Sequence, residues 1–400
     1  MFVRSARQTV CYYSSMDFAP SKIFRKLTST SHTAQLLFFL AGILVFGIVG
    51  SNFYFQKATA PRMIEICESG KRPVSIALAG DLLIGGRTVW QQIVNDNYDP
   101  EKMLGETYSN FKNSDVTFAN FEGIITESTT IREKNLPPSF SLRTDPDIVN
   151  FFSSFPRPVL SFANNHSADS GFDGINDTLK ILENTSIGYV GIGRNSDEAL
   201  APNIAEINGV RIAFLAFTDL LPEEYYATTA KEGIALLSPE NLKEAIKKAR
   251  VVSDFVIVYI HTAGDVNAAP SRAPDDRERF FSRLAITEGA DVVVGSQPHI
   301  LQQVEKFGNG IIFYSLGIFL YDPAVSSRYP AGHPLFNGTQ FKGGGILRLA
   351  ICDREQYEYE LIPTRMAYRG DQLRLQSDSP IVYFLTRVWR RYNFIPWRMK

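Results

Sequence analysis

Apolar positions along the chain follow two different patterns. Residues 36–55 (LLFFLAGILVFGIVGSNFYF) run without a single charge. As a helix this stretch measures about 30 Å, enough to cross the hydrocarbon core of a bilayer. It predicts a single membrane-spanning helix. A buried core helix would carry a polar face. A cleaved signal peptide, for which Ile48-Val49-Gly50 loosely resembles a cleavage site, would have a shorter apolar core and a shorter lead. The expectation is an uncleaved anchor. Arg4, Arg7, Lys22, Arg25 and Lys26 precede the span, while Lys57, Arg62, Lys71 and Arg72 come after it. By a thin margin this places the N-terminus in the cytoplasm and the remainder outside the cell membrane. The chain then divides into a cytoplasmic segment 1–35, a single-pass anchor 36–55, a polar stalk 56–73 and an extracytoplasmic domain.

After the stalk, short apolar runs alternate with helical patterns. The runs lie at 74–79, 116–119, 159–163, 212–217, 255–260, 291–294 and 311–314, and most are rich in Val, Ile and Phe. Buried strands have this composition. SPENLKEAIKKAR opens with a Ser cap and a Pro at the first helical position, and its last turn is basic. DDRERFFSRLAITEGA starts acidic and stops at Gly289, and DGINDTLKILENT sets Ile175, Leu179 and Leu182 on one face. Alternation of this kind predicts an α/β domain over 74–369. Within it, GGGILRLAIC and QYEYELIPTRM read as a hairpin extending the sheet. A basic, aromatic tail over 370–400 carries Trp389, Arg390, Arg391, Trp397 and Arg398. It reads as a surface helix or as a strip resting on a membrane or partner.

Composition narrows the function by exclusion. Net charge is −1, so no overall basic field argues for nucleic acid. No G-x-x-x-x-G-K-[ST] loop occurs, and GIGRNS lacks the last glycine of a dinucleotide loop. Of the three cysteines, Cys67 and Cys352 would both lie in an oxidising space, where pairing is open to them.

The informative signal lies just past the end of each apolar run. The first leads into Asp81, the second into Asn120 and Glu122, and the third into Asn164, Asn165 and His166, with Asp169 beyond. The run at 255–260 leads into His261, with Asp265 after it, and the run at 291–294 into Gln297 and His299. Polar groups at strand C-termini converge at one edge of a largely parallel sheet, where such folds place ligand sites. Asp81, Glu122, Asn165, His166, His261 and His299 make a mixed oxygen and nitrogen set, suited to Mn, Fe or Zn better than to Ca. His166, Asp169 and His261 are the candidate proton carriers. Dispersed ligands on loops after strands also occur in two-metal phosphoesterases. With no Cys in the set and no G-x-S-x-G elbow, a thiol or serine nucleophile is not expected.

AGDLLIGGR, ANFEGIIT, ANNHSADSGFDGINDTL, VGIGRNSDEAL, IAFLAFTD, GADVVVGSQPHILQQVE and GIIFYSLGIFLYD occur in this order. They resemble the CapA-type (PgsA-like) poly-γ-glutamate capsule biosynthesis proteins across residues 74–365. The resemblance implies a metallophosphatase-like layered sandwich (α/β/β/α) behind a single transmembrane helix. It also implies that Asp81 is the Gly-Asp aspartate, Glu122 the glutamate of N-x-E-G, and Asn165, His166 and Asp169 the N-N-H-x-x-D residues. His261 would begin H-W-G-x-E, and His299 would end G-H-H-P-H. This chain departs at HTAGD, GSQPH and YSLGIF, where Thr262, Ala263, Asp265, Ser296, Gln297 and Ile318 replace the family residues. The outer frame is intact, so one divalent ion is better supported than two. The implied role is synthesis, export or tethering of an anionic capsule polymer, with poly-γ-glutamate as the implied case. Expected partners are the bilayer, the polymer or its precursor, and membrane-bound polymer synthase subunits. A metal-dependent phosphoesterase of the envelope and a metal-free scaffold are the alternatives.

Overall fold

Val74–Leu83 (β1) has nearly every side chain buried, which is why its sequence runs apolar instead of alternating. Val116–Phe121 (β2), Pro158–Ser161 (β3) and Gly188–Val190 (β4) extend the sheet from it in parallel. A second sheet holds Asn203–Ile207 (β5), Val210–Thr218 (β6), Phe255–His261 (β7), Val292–Ser296 (β8), Val304–Phe307 (β9) and Gly310–Phe313 (β10). Its order is β9-β10-β8-β7-β6-β5, with β6, β7, β8 and β10 parallel and the two outer strands antiparallel. The chain then returns to the first sheet through Ile318–Tyr321 (β11), parallel to β1, and Gly343–Ile351 (β12), antiparallel to it. Tyr357–Arg369 (β13) closes the expected hairpin with β12, and Gln372–Ser377 (β14) adds a further edge strand. The strands thus form two main mixed sheets, as the α/β/β/α sandwich implied by the family resemblance requires, whereas the pattern of apolar runs alone suggested one largely parallel sheet. Period and composition mark a strand but not the strand it pairs with.

This computed structural model describes residues 67–85, 87–133, 141–264, 271–321, 343–369 and 372–377. The predicted anchor 36–55, the segment before it, most of the stalk and the tail beyond 377 lie outside the described residues. No helix among the described residues is long and apolar enough to cross a membrane. The described residues all belong to one of two units of the chain, Met63–Lys400.

The inner faces of the two sheets pack on each other. Phe118 of β2 stacks on Phe214 of β6 at 5.5 Å and meets Tyr259 of β7 at 5.3 Å. Helices Pro239–Val252 and Asp276–Glu288 cover the outer face of the second sheet, setting Leu242, Ile246, Phe281 and Ala285 against Leu215 and Val258. Both helices start as their sequences predict. Ser238 accepts from the Asn241 N–H, and Asp275 and Glu278 form a capping box. On the outer face of the first sheet, Phe111 packs on Phe319 and Phe152 on Phe121. The layers therefore run helix, sheet, sheet, helix. A disulfide joins Cys67, just before β1, to Cys352, just past β12, across a sequence separation of 285.

Candidate metal centre

The C-terminal ends of β1, β2, β3, β7 and β8 meet at one end of the sandwich. At β1 the approach is close. A Cβ on Gly80 would stand 2.0 Å from the Gly317 carbonyl, so only glycine fits before Asp81. The Asp81 N–H then donates to that carbonyl at 3.0 Å. Pairing of β1 with both of its parallel neighbours, β2 and β11, shifts register beside Asp81, an irregularity that sets the carboxylate apart from the regular ladder. Asp81 is fully buried and Glu122 is 1% exposed.

Amides orient the carboxylates. Asn120 donates to Asp81 Oδ1 at 2.8 Å, and its own carbonyl accepts from Asn164 Nδ2 at 3.2 Å. Asn164 also donates to the Phe121 carbonyl at 2.8 Å and accepts from the His166 N–H at 3.0 Å. This lattice shapes the loop that carries His166. The His166 Nδ1 lies 2.7 Å from Asp169 Oδ2, which also accepts from the Leu142 N–H at 2.8 Å. With Nδ1 so held, Nε2 faces Glu122 Oε1 at 3.8 Å.

The second sheet brings the other imidazoles. Strand register sets His261 opposite Ser296 and Thr218, and Thr218 Oγ1 donates to the His261 carbonyl at 2.8 Å. His261 Nδ1 is 2.6 Å from Ser296 Oγ and 3.3 Å from Asn120 Nδ2. Because that amide nitrogen only donates, Nδ1 accepts, and Nε2 carries the proton toward Asn165 Oδ1 at 2.9 Å. His299 comes from a turn in which Gln297 (φ 96°) and His299 (φ 58°) both adopt left-handed backbone. Such conformations cost about 1–3 kcal/mol each and persist where their surroundings impose them. Here they bring His299 Nδ1 to 3.1 Å from Asp81 Oδ2 and Nε2 to 3.7 Å from Glu122 Oε1.

The charges reflect burial and neighbours. Burial pushes the His261 imidazole down to about 4, against the opposing pull of Asp81. Burial also opposes charge on His299, but Glu122, together with the Asp81 hydrogen bond and charge, raises it to about 9. For Asp81, burial works upward, and the His299 hydrogen bond and charge, with the Asn120 hydrogen bond, still hold it below the carboxylate range. A neutral imidazole and a cationic one therefore flank the same aspartate.

Asp81, Glu122 and His299 each offer a ligand atom within 4.8 Å of the others. Two buried carboxylates and an imidazole fit a divalent transition ion. His166 borders this triad with its Nδ1 held by Asp169, the usual support for a ligating imidazole. His261 and Asn165 stand beside it, bonded to each other. Asp265, the predicted acid after His261, lies outside the described residues. Sequence reasoning passed over Tyr259, whose hydroxyl donates to Asp81 Oδ1 at 3.3 Å. Its signal was available, since positions 259 and 261 share one face of a strand. Ser296, read only as a lost imidazole, is the group that holds His261.

A model of the bacterial capsule synthesis protein PGA_cap family matches residues 75–323. The chain belongs to that family. The matched region contains every residue of the triad and its flanks. The chain is 29% identical to the capsule biosynthesis protein CapA of Bacillus anthracis, over 75% of this chain and 71% of that one. It is 28% identical to the PGA biosynthesis protein CapA of Bacillus subtilis (strain 168), over 71% and 72%. Among solved structures it aligns with a putative 5'-nucleotidase from Staphylococcus aureus at TM-score 0.41 and 11% identity. That alignment covers 80% of this chain and 58% of the other.

Proposed function

We propose that this PGA_cap family member acts outside the cytoplasm, held by the 36–55 segment, in making, exporting or tethering an anionic capsule polymer. Poly-γ-glutamate is the polymer favoured by the family resemblance and by the PGA in the name of the Bacillus subtilis relative. The observation that carries the reading is the family match over 75–323 together with the buried polar centre inside it. The Cys67–Cys352 disulfide supports an oxidising compartment. The bilayer, the polymer and membrane-bound synthase subunits are the proposed partners.

Asp81, Glu122 and His299 would hold one divalent ion, with His166 as the adjoining imidazole. When bound, such an ion polarises a carbonyl or phosphoryl oxygen. The chain's own groups supply the rest. Neutral His261, with Nε2–H presented at Asn165, can donate a hydrogen bond from that atom. Asp169 keeps the His166 ring turned so that its Nε2 faces the triad. A phosphoesterase acting on an envelope phosphoester is the second reading, favoured by the same donor set; a metal-free scaffold is the third.

Deletion of the gene from its host, with surface anionic polymer quantified, tests the first reading. Polymer should fall and return with the wild-type chain but not with Asp81→Asn; unchanged polymer overturns the assignment. Metal analysis of the full-length protein with a phosphodiester substrate screen separates the others. Turnover with bound metal selects the phosphoesterase, and absence of metal selects the scaffold.

A further inference from the structure

We propose that Arg132 is a positioning residue that fixes the His166 loop and, through Asp169, the orientation of the His166 ring. Neither the motifs nor the composition pointed to it. Its side chain is only 13% exposed, and it meets the loop from several directions at once. Arg132 Nε donates to the Ala168 carbonyl at 2.9 Å, and Nη2 donates to the Asn165 carbonyl at 3.4 Å. The same Nη2 stands 3.6 Å from Asp169 Oδ1, on the carboxylate whose other oxygen holds His166. The Arg132 backbone N–H donates to the Asp169 carbonyl at 2.8 Å. Beneath the guanidinium lies the Tyr225 ring, 5.4 Å from its centre.

The segment carrying Arg132 is itself tied down, so the guanidinium is delivered rather than merely near. Thr126 Oγ1 donates to Asp177 at 2.5 Å and Thr130 Oγ1 to Asp173 at 2.9 Å, both on helix Gly171–Glu183. That helix continues directly from the His166 loop. One strap therefore binds the loop and the helix behind it. A planar fork is the group for this task, because it reaches two carbonyls and a carboxylate while stacking on a ring. Lysine, a point charge, cannot do all three.

The metal arm of the test rests on the proposed metal centre; the ring-orientation arm does not. Arg132→Gln, Arg132→Lys and Tyr225→Leu are made in the full-length protein. Each is titrated with Mn²⁺ alone, and the histidine rings of the metal-free protein are followed by ¹⁵N NMR. Arg132→Gln should weaken Mn²⁺ binding by up to about 10-fold, the lower end of the effect of removing an outer-shell partner, because it acts one step further out, through Asp169. It should also turn the single His166 ring signal into a mixture of tautomers. Arg132→Lys should restore part of both readouts, and Tyr225→Leu should shift them the same way by less. Should the Gln variant fail to fold, the Lys and Leu variants carry the decision. If the wild type takes up no Mn²⁺, the metal centre fails and the ring spectra alone decide. An unchanged His166 spectrum in the folded variants overturns the proposal, as does lost thermal stability with spectrum and affinity intact.

Discussion

The two ends of the parallel strands use the same acid side chains to opposite effect. At the N-terminal ends, each aspartate meets arginine. Asp115 before β2 takes Arg72 in a two-pronged contact at 2.8 and 2.9 Å, and Asp254 before β7 takes Arg211 at 3.0 Å. Asp291, beside the start of β8, holds both Arg250 and Arg354 at 2.7 Å and also accepts from the Val256 N–H. At the C-terminal ends, Asp81 and Glu122 meet histidines instead. Arginine stays charged at any working pH and closes its partner off. Histidine can shed its proton and leave the carboxylate to a metal ion. The arginine-bound carboxylates hold, and Asp81 and Glu122, bound by histidines, can exchange.

The largest effect should come from breaking the holding end. Asp291→Ala strands the Val256 N–H and the partly buried Arg250 and frees the half-exposed Arg354, which should cost about 3 kcal/mol, the lower end for a buried ion pair. Denaturant unfolding should show that loss, while metal content of the folded variant stays at the wild-type level. Loss of metal in this variant would erase the distinction between the ends.

The exchanging end should dominate the pH response of the metal-free protein. His299, raised to about 9, contributes stability that is complete below its ordinary value and fades as pH climbs through 9. His261, lowered to about 4, acts in the reverse sense: its contribution is complete above its ordinary value and fades as pH falls toward 4. Each arm is worth on the order of a few kcal/mol. Melting temperature against pH should therefore be a dome, and Asp81→Asn should flatten its alkaline side. A profile that keeps rising from about pH 7 to 10 would contradict the raised His299.

The smallest effect on folding should accompany the largest on metal. Asp81→Asn keeps the shape of the side chain and removes its charge, costing about 1–2 kcal/mol through misdirected hydrogen bonds. Metal binding should be lost. If instead the variant melts like Asp291→Ala, the two ends do the same work.

Much of this architecture could be read in advance. His261 was visible because it ends an unbroken apolar run, and Asp81 because Gly80 precedes it at the end of another. The division into two sheets came only from the family resemblance, since nothing in the local pattern of β2 and β6 says that Phe118 and Phe214 will face each other. Arg132 gave no signal because its partners lie 33 or more residues away and include backbone carbonyls, which have no sequence signature. The spacing of Cys67 and Cys352 was equally mute, because only the fold brings their Cα atoms to 5.6 Å.

That disulfide makes the sandwich a closed covalent circuit. Cys67 and Cys352 stand at the two sides of nearly every strand that matters to the centre. A protease cutting once anywhere between them opens the circuit without parting it, and the two pieces stay on one molecule until a reductant arrives. A single nick is then survivable damage: the layers still hold each other, and one covalent bond still joins the two pieces.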